Sequence, residues 1–383
     1  MLDPEEAKEQ KAIIEDLAEE LDVSDSKYKD AEAHYNAVGD WLNRDGSTLA
    51  QYNPTVHPQG SFALGTAIRP LNGEDYDVDA VCLLRISQQS ITPPHLKKIV
   101  GDRLKLHERY LPMIDPKEGG RRCWTLRYAD GSQFHLDILP AIPDPAAVPR
   151  LIVEGVDPSH AKHALCITDR DRQEPGWPKS NPQGYVGWFR ERMAVTQPGM
   201  LMEHRADVQP LKQHRVKTPL QKVVQLLKRH RDHMFGDDEH RPISIIISTL
   251  AAKAYEGESD VLDAILNLVP KMRDSLTLNP KTLKYEVLNP VAPSENFADR
   301  WVDEPKKRDN FLRWLDAIEQ QHKKIAGERN QTRIATYLAE SYGEGDSKAA
   351  MLKFASRAKP KASPTSNFVN KVFSTATAAA RLP

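Results

Sequence analysis

One apolar run with aspartates at alternate positions constrains this chain more than any other stretch. Residues 78–84 read VDAVCLL, with Asp79 inside the run and Asp77 just before it. Solvated acids do not normally lie beside such an apolar run. The run therefore predicts a buried strand whose aspartates have a functional role. Successive strand side chains point to opposite faces, so Asp77 and Asp79 should share one face while Val78 points into a core.

A third acid, Asp137, lies in a second strand-like run, FHLDIL. The stretches 123–128 and 133–139 both alternate in polarity, and they flank ADGS at 129–132. This pattern predicts a β-hairpin. The hairpin would deliver Asp137 on a strand that could lie beside the strand of the other two acids.

Three neighbouring carboxylates predict a metal site. Carboxylates side by side repel each other and stay ionised only when cations lie between them. Mg2+ prefers oxygen ligands and is usually held by one or two carboxylates plus substrate phosphates. Two such ions can stabilise the attacking and leaving oxygens of an in-line displacement. We therefore expect Asp77, Asp79 and Asp137 to bind two Mg2+ ions, with Mn2+ as an alternative, and Asp137 also to activate the attacking hydroxyl.

The acid pair has one alternative register. In that register Asp75 pairs with Asp77, but Asp75 lies nearer the turn at 72–74, so the 77/79 pair is preferred.

A second motif, the pair Gly60-Ser61, is a common turn by itself. Beside a strand with paired acids it predicts a phosphate cradle at the start of a short helix, because Gly allows close backbone approach and Ser adds a hydroxyl donor.

These motifs resemble one known family. Its residues here are QGSF at 59–62, GT at 65–66, RP at 69–70, YDVD at 76–79, SNPQGY at 180–185 and ENFADRW at 295–301. They are similar to the bacterial cGAS/DncV-like nucleotidyltransferases, the CD-NTases of CBASS anti-phage systems. The resemblance spans roughly residues 30–345 and implies an α+β, bilobed, polymerase β-like fold. A mixed sheet would form the N-terminal lobe and helices the C-terminal lobe, with the active site in the cleft.

The same resemblance implies an activity and its partners. The enzyme would make a cyclic di- or trinucleotide second messenger from ATP and/or other NTPs, releasing pyrophosphate, in anti-phage signalling. A separate effector would respond to the product, and accessory regulators or a conjugating enzyme could act on the protein. By resemblance, Lys228 would grip the donor triphosphate and Ser244 would also reach the phosphates. From the residues alone, Lys228 to Arg231 reads instead as a solvated basic run.

Three segments are expected along the chain. Residues 1–150 would form the nucleotidyltransferase core, 151–355 the mainly helical lobe, and 356–383 a flexible basic tail. A stripe at 28–41 predicts a core-packing helix, which by resemblance would span both lobes. Helices are also predicted at 4–21, 92–111, from 218 onward, and at 243–256, 260–269, 307–325 and 329–341. The prolines between 140 and 149 should end the strand that carries Asp137.

Composition sets further bounds. A net charge of -1 marks no general nucleic-acid-binding surface, although a nucleic-acid activator stays open. Three cysteines without a CxxC pattern favour a reduced, cytoplasmic protein. The chain shows no run of membrane-spanning length and no signal peptide.

Three histidines and two aromatic residues are also candidate ligand contacts. The histidines, at 230, 233 and 240, lack a compact zinc pattern and are expected on the surface. Trp177 or Tyr185 could stack on a base, with packing as the alternative.

Two rival functions belong to other classes. One is a nucleotidyltransferase that makes linear oligonucleotides or modifies an RNA or protein acceptor. The other is a catalytically dead nucleotide-binding scaffold, which the presence of all three acids and the Gly-Ser turn argues against.

Overall fold

The computed structural model describes residues 3–71, 73, 75–114, 120–128, 134–170, 176–194 and 216–357. It combines a mixed sheet with a long helical region, as the sequence predicted. The strands are β1 Thr55–Gln59, β2 Tyr76–Leu83, β3 Trp124–Tyr128, β4 Phe134–Pro143, β5 Leu165–Ile167, β6 Lys179–Ser180, β7 Thr277–Leu278, β8 Tyr285–Glu286, β9 Leu288–Asn289 and β10 Ala292–Asn296. The helices are α1 Pro4–Glu20, α2 Asp25–Asn43, α3 Gly60–Leu64, α4 Pro93–Lys105, α5 Val148–Val153, α6 Pro158–Ala161, α7 Pro182–Ala194, α8 Pro219–Phe235, α9 Ser244–Ala254, α10 Val261–Asp274, α11 Pro305–Gly327, α12 Gln331–Tyr342 and α13 Glu344–Arg357.

The main sheet has six strands in the order β1-β2-β4-β5-β6, with β3 also paired to β4. Strands β2 and β4 run parallel, and the other neighbours are antiparallel. The predicted hairpin is therefore confirmed by β3 and β4, while its turn lies outside the described residues. Strand β4 lies directly beside β2, so the two acid-bearing strands are neighbours.

Strand β4 ends within the predicted proline stretch, but at Pro143 and not at the first of these prolines. Strand β4 continues through Pro140 to Pro143. On one side of β4 the pairing with β3 stops at Ile138, and the pairing with β5 starts at Ala141. Pro140 falls in the gap between these partners, where a missing backbone N–H interrupts neither ladder.

Two large cores organise the described residues. One lies between the sheet, α2 and α4, and includes Tyr35, Val78 and Leu136. The other joins α1 to helices α7–α13. Helix α1 thus packs with the helical region and α2 with the sheet, so this N-terminal pair, rather than one helix, contacts both cores. The sheet itself extends past residue 150 into β5 and β6.

Several helix boundaries follow local chemistry. Ser24 caps α2, and Thr218 caps α8 with Pro219 in the first turn. The helix expected at 92–111 ends at Lys105, because the His107 ring accepts the Arg109 N–H at 3.1 Å and so favours a turn. Helix α13 was not expected from the sequence. Within the described ranges, every helix is too short or too polar to pass through a lipid bilayer.

Candidate active site

The two sheet strands bring the three predicted acids together. Asp77 and Asp79 lie on β2 with Val78 buried between them. Asp137 on β4 is the register partner of Asp79. The Thr125 hydroxyl on β3 donates to Asp137 Oδ1 at 2.5 Å. The alternating face and the neighbouring strand are therefore as the sequence predicted, and Thr125 is a further contact that no sequence spacing indicated.

Gly60 begins α3 directly against this acid cluster. Its φ is +63°, and a Cβ placed on it would stand 2.0 Å from Asp79 Oδ2. The strand register explains the approach, because the preceding residue, Gln59, pairs with Asp79. Only glycine meets both demands, a left-handed backbone and contact with a carboxylate. The short helix predicted after the Gly-Ser pair is confirmed as α3.

The surroundings of Asp77 and Asp79 disfavour the ionised form of both carboxylates. Burial, with repulsion from Asp137 and Asp77, raises the pKa of Asp79 to about 7, although Lys228 opposes the rise. Burial and repulsion from Asp137 also raise the pKa of Asp77. Because 78% of the Asp77 side chain is accessible, solvent screens the repulsion that it feels from Asp137. A cation among these carboxylates would restore their ionised form.

The rival register involves Asp75, which has a different partner. His135 Nε2 lies 2.6 Å from Asp75 Oδ2, whereas its Nδ1 lies 3.6 Å from Asp77 Oδ1. Asp75 precedes β2 and is occupied by this contact. The geometry therefore favours the 77/79 pair as the carboxylates that face Asp137.

Lys228 lies in the interior rather than in a solvated run. It is 5% exposed, and Arg229, His230 and Arg231 are also buried. The Lys228 Nζ donates to the Thr66 carbonyl at 3.0 Å and to its hydroxyl at 3.3 Å. Burial and repulsion from Arg231 lower the pKa of Lys228 to about 7. The interpretation of 228–231 as a solvated basic run is wrong, because each of these side chains is buried and makes a hydrogen bond.

Two adjoining cavities receive all the predicted site residues. The smaller, of about 370 Å3, is lined by Ser61, Asp77, Lys228 and Ser244 among others. The larger, of about 1300 Å3, is lined by Gly60, Asp79 and Asp137. Both share Arg241, Pro242 and Ile243 as walls. The acid-bearing strand thus contributes to both cavities, with Asp77 in the smaller and Asp79 in the larger.

Ser244 is the first residue of α9 and is already engaged. Its hydroxyl accepts a hydrogen bond from Arg231 Nη2 at 3.3 Å, and Arg231 also donates to the Pro242 carbonyl at 2.6 Å. Sequence reasoning singled out Ser244 and missed Arg231. No local sequence pattern could have indicated Arg231, because only the fold places it in the wall of the smaller cavity.

The larger cavity contains charged groups that the sequence did not indicate. Asp169 accepts from Arg121 Nε at 2.7 Å and lies 3.4 Å from Arg122 Nε. Trp177, which packs against the sheet core, is half-buried in the wall. Tyr185 is buried and its hydroxyl bonds to Thr249 at 2.8 Å. Both aromatic candidates line the cavity, but Tyr185 is buried and therefore a packing residue, whereas the half-buried Trp177 keeps a face toward the cavity.

The donor set suits a hard cation, since it consists of carboxylate and hydroxyl oxygens. Within the described ranges, no three His, Cys, Asp or Glu side chains stand ready-made around a metal ion. Substrate phosphates would supply further oxygens.

The expectation that the histidines at 230, 233 and 240 lie at the surface is wrong for His230. Its side chain is buried and hydrogen-bonded to Gln321.

Known proteins share this fold. A family model described as the nucleotidyltransferase domain of cyclic GMP-AMP synthase DncV-like proteins matches residues 54–140. A c-di-GMP synthase from Roseivirga ehrenbergii is 30% identical over 308 residues, covering 79% of this chain and 76% of that relative. This chain belongs to the DncV-like nucleotidyltransferase family. It is therefore a nucleotidyltransferase and a bacterial CD-NTase, as the sequence motifs predicted.

Further relatives of this CD-NTase support the same fold. The cyclic dinucleotide synthase CdnG of Bradyrhizobium diazoefficiens is 26% identical over 325 residues, covering 80% of this chain and 74% of CdnG. A structure of that CdnG with GTP has a TM-score of 0.67 at 20% identity, over 90% of this chain and 97% of the other. Vibrio cholerae DncV bound to linear pppA(3′,5′)pG has a TM-score of 0.53 at 14% identity, over 91% and 93%. The bilobed polymerase β-like fold is confirmed, and enzymes of this family generally use divalent metal ions.

Proposed function

We propose that this CD-NTase joins nucleoside triphosphates into a cyclic dinucleotide, with GTP among its substrates and pyrophosphate as the leaving group. The observation that carries the proposal is the register of Asp79 with Asp137, directly beside Gly60. The names of two relatives, a c-di-GMP synthase and the cyclic dinucleotide synthase CdnG, support the choice of product.

The residues divide the work between the two cavities. Gly60 and Ser61 would hold the donor triphosphate, and Lys228 and Ser244 would steady the leaving pyrophosphate. Lys228 suits this role, because a buried ammonium whose pKa is lowered regains full charge when phosphates arrive. The smaller cavity contains Ser61, Lys228 and Ser244 together, which supports one common phosphate chamber.

The carboxylates would act on the reacting oxygens. Asp77, Asp79 and Asp137 would hold two Mg2+ ions, which supply charge neutralisation at the attacking and leaving oxygens when bound. Asp137 would orient the acceptor hydroxyl and receive its proton, with Thr125 fixing one carboxylate oxygen. Little covalent chemistry is asked of the protein, so positioning and charge carry the rate.

Cyclisation needs room for a second nucleotide and for a turn of the linear intermediate. The larger cavity, of about 1300 Å3, exceeds the roughly 300–1,000 Å3 typical of a small-molecule site. Trp177 offers an aromatic surface for a base in its wall. The volume favours two nucleotides over one and supports a product built within a single protein chain.

The test identifies the product. Purified protein is incubated with four labelled NTPs and Mg2+ or Mn2+, treated with phosphatase, and the surviving species is identified by mass. A phosphatase-resistant cyclic dinucleotide containing guanine supports the proposal. A product that phosphatase degrades would support the linear alternative, and label on RNA or protein would support an acceptor of that class. No pyrophosphate release under any condition would favour the catalytically dead scaffold.

The remaining expectations stay predictions. They are the division into segments 1–150 and 151–355, the cytoplasmic location, the separate effector, the anti-phage role and the accessory regulators or conjugating enzyme. The tail predicted from residue 356 overlaps the end of α13, which extends to Arg357, and its remainder lies outside the described residues.

A further inference from the structure

One face of α8 is occupied by side chains that donate hydrogen bonds to a single backbone segment, residues 64–69. The donors are Gln221, Gln225, Lys228 and Arg229, and their acceptors are the carbonyls of Leu64, Ala67, Thr66 and Arg69. Positions 221, 225, 228 and 229 follow the helical spacing of one face. All four side chains are buried. The row is therefore a built contact between α8 and the segment that begins at the end of α3.

The 64–69 segment is attached directly to the turn at Gly60-Ser61. The Thr66 N–H donates to the Ser61 carbonyl at 2.9 Å, so the position of Thr66 sets that of Ser61. The Thr66 carbonyl and hydroxyl are also the contacts of Lys228. Ser61 and Lys228 line the same cavity. A shift of the segment would therefore move both walls of the proposed phosphate chamber.

Gln225 donates one of these hydrogen bonds, but its buried amide lowers the stability of the fold. Its Nε2 donates to the Ala67 carbonyl at 2.7 Å and to Asp22 Oδ1 at 3.3 Å. The side chain is 0% exposed, and its Oε1 has no hydrogen-bond partner among the described residues. A buried unpaired carbonyl oxygen is destabilising, and an apolar side chain of similar shape would avoid that penalty. Stability alone therefore does not account for a glutamine at this position.

We infer that Gln225 is a positioning residue that holds the 64–69 segment so that Ser61 and Lys228 meet the donor triphosphate. This inference rests on the proposed function, since it assigns the smaller cavity to phosphates. Gln225 touches no substrate in this account. It acts by fixing Ala67, and through the segment it fixes Thr66. Its loss should weaken the grip on the β- and γ-phosphates and leave contacts to the base and ribose unchanged.

The experiment compares two matched substitutions, Gln225→Met and Gln10→Met. Gln10 is also a buried glutamine whose Nε2 donates to a backbone carbonyl, that of Glu328, away from the 64–69 segment. Binding of GTP and of GMP is measured by calorimetry with Ca2+ replacing Mg2+ to prevent turnover. We expect Gln225→Met to raise the Kd for GTP about five- to tenfold, the cost of a buried hydrogen bond, with the Kd for GMP unchanged. Gln10→Met should change neither Kd, even where it lowers the Tm equally.

A second readout separates positioning from general destabilisation. If Gln225 acts through Lys228, Gln225→Met and Lys228→Met should be non-additive in the Kd for GTP. Equal GTP binding by wild type and Gln225→Met, or strictly additive effects, would overturn the inference. If Gln225→Met does not fold, Gln225→Asn withdraws the same donor without removing the amide. Failure of both to fold would assign Gln225 to core stability and also overturn the inference. Wild-type protein that binds no GTP would instead contradict the proposed function itself.

Discussion

The backbone of Gly60 rests against the carboxylate of Asp79: a Cβ on Gly60 would stand 2.0 Å from Asp79 Oδ2. This contact joins the turn that would hold the phosphates to the strand that would hold the metal. It fixes their separation by direct packing, without an intervening side chain. If these residues act as proposed, the fold sets the distance between the donor phosphate and the carboxylates before any substrate binds.

The first prediction concerns Gly60→Ala. The substitution should lower activity at least about hundredfold, because the added methyl displaces Asp79 and an error of about 1 Å in a reacting group has that effect. Gly46→Ala is the matched control. Gly46 has a similar φ of +76°, but no atom lies within 4 Å of where its methyl group would be. Gly46→Ala should therefore lose about 1 kcal/mol of unfolding free energy and keep its activity, whereas Gly60→Ala should lose more, because its methyl also meets Asp79. Equal activity of the two variants in a pyrophosphate-release assay would contradict the contact's role.

The second prediction tests the register of the acids. Asp77→Asn and Asp79→Asn should each abolish pyrophosphate release and remove the metal-dependent rise in Tm, since each deletes a carboxylate from the proposed cation site. Asp75→Asn should retain activity, because Asp75 faces His135 at 2.6 Å. Loss of activity in Asp75→Asn, with retention in Asp79→Asn, would reverse the assignment.

The third prediction separates binding from folding at Lys228. Lys228→Met should raise the KM for GTP at least about tenfold, the magnitude expected for one charge-assisted hydrogen bond. Its Tm should stay within about 4 °C of wild type, because the lost contacts to Thr66 are offset by removing a buried cation. Steady-state kinetics and a thermal melt measure the two quantities. An unchanged KM would show that Lys228 does not bind the substrate phosphates.

The fourth prediction is a loss of stability in acid that arises away from the active site. Burial lowers the pKa of His322 to about 4, and its ring is bonded to the Ile318 carbonyl and the Tyr342 hydroxyl. Because the folded pKa is below the unfolded value near 6.5, this contribution is complete above pH 6.5 and is lost as the pH falls toward 4. Denaturant titrations should show the free energy of unfolding declining over that window.

A substitution assigns this decline to His322. His322→Gln keeps hydrogen-bonding capacity but cannot titrate. Its unfolding free energy should depend less on pH between 6.5 and 4 than that of wild type, by on the order of 3 kcal/mol. Identical pH slopes for the two proteins would show that another group controls the acid transition.

The sequence was most informative where one physical rule acts locally. Strand alternation predicted the shared face of Asp77 and Asp79, and the hairpin pattern placed Asp137 on the adjacent strand. The helix predicted from residue 218 onward begins at Pro219 with Thr218 as its cap, because capping depends on the nearest residues. These predictions needed no knowledge of distant contacts.

The sequence was misleading where distant partners decide. The charged run 228–231 is typical of a surface, yet Arg229 is buried because Asp346 lies 2.9 Å from its Nε. Asp346 belongs to α13, a helix that the sequence did not indicate. The proline stretch ends β4 at Pro143 rather than at Pro140, because the change of neighbouring strand accommodates Pro140. Partners so far apart along the chain leave no signal in local periodicity.

The most direct test of the central claim is the stoichiometry of pyrophosphate to phosphatase-resistant nucleotide. Wild-type protein is incubated with GTP and Mg2+, and both quantities are measured in one reaction, with Asp79→Asn as the blank. A cyclic dinucleotide has two phosphodiester bonds, so we expect one pyrophosphate per nucleotide incorporated and none in the blank. One pyrophosphate for every two nucleotides, with a product that phosphatase degrades, would show a linear dinucleotide and contradict the account.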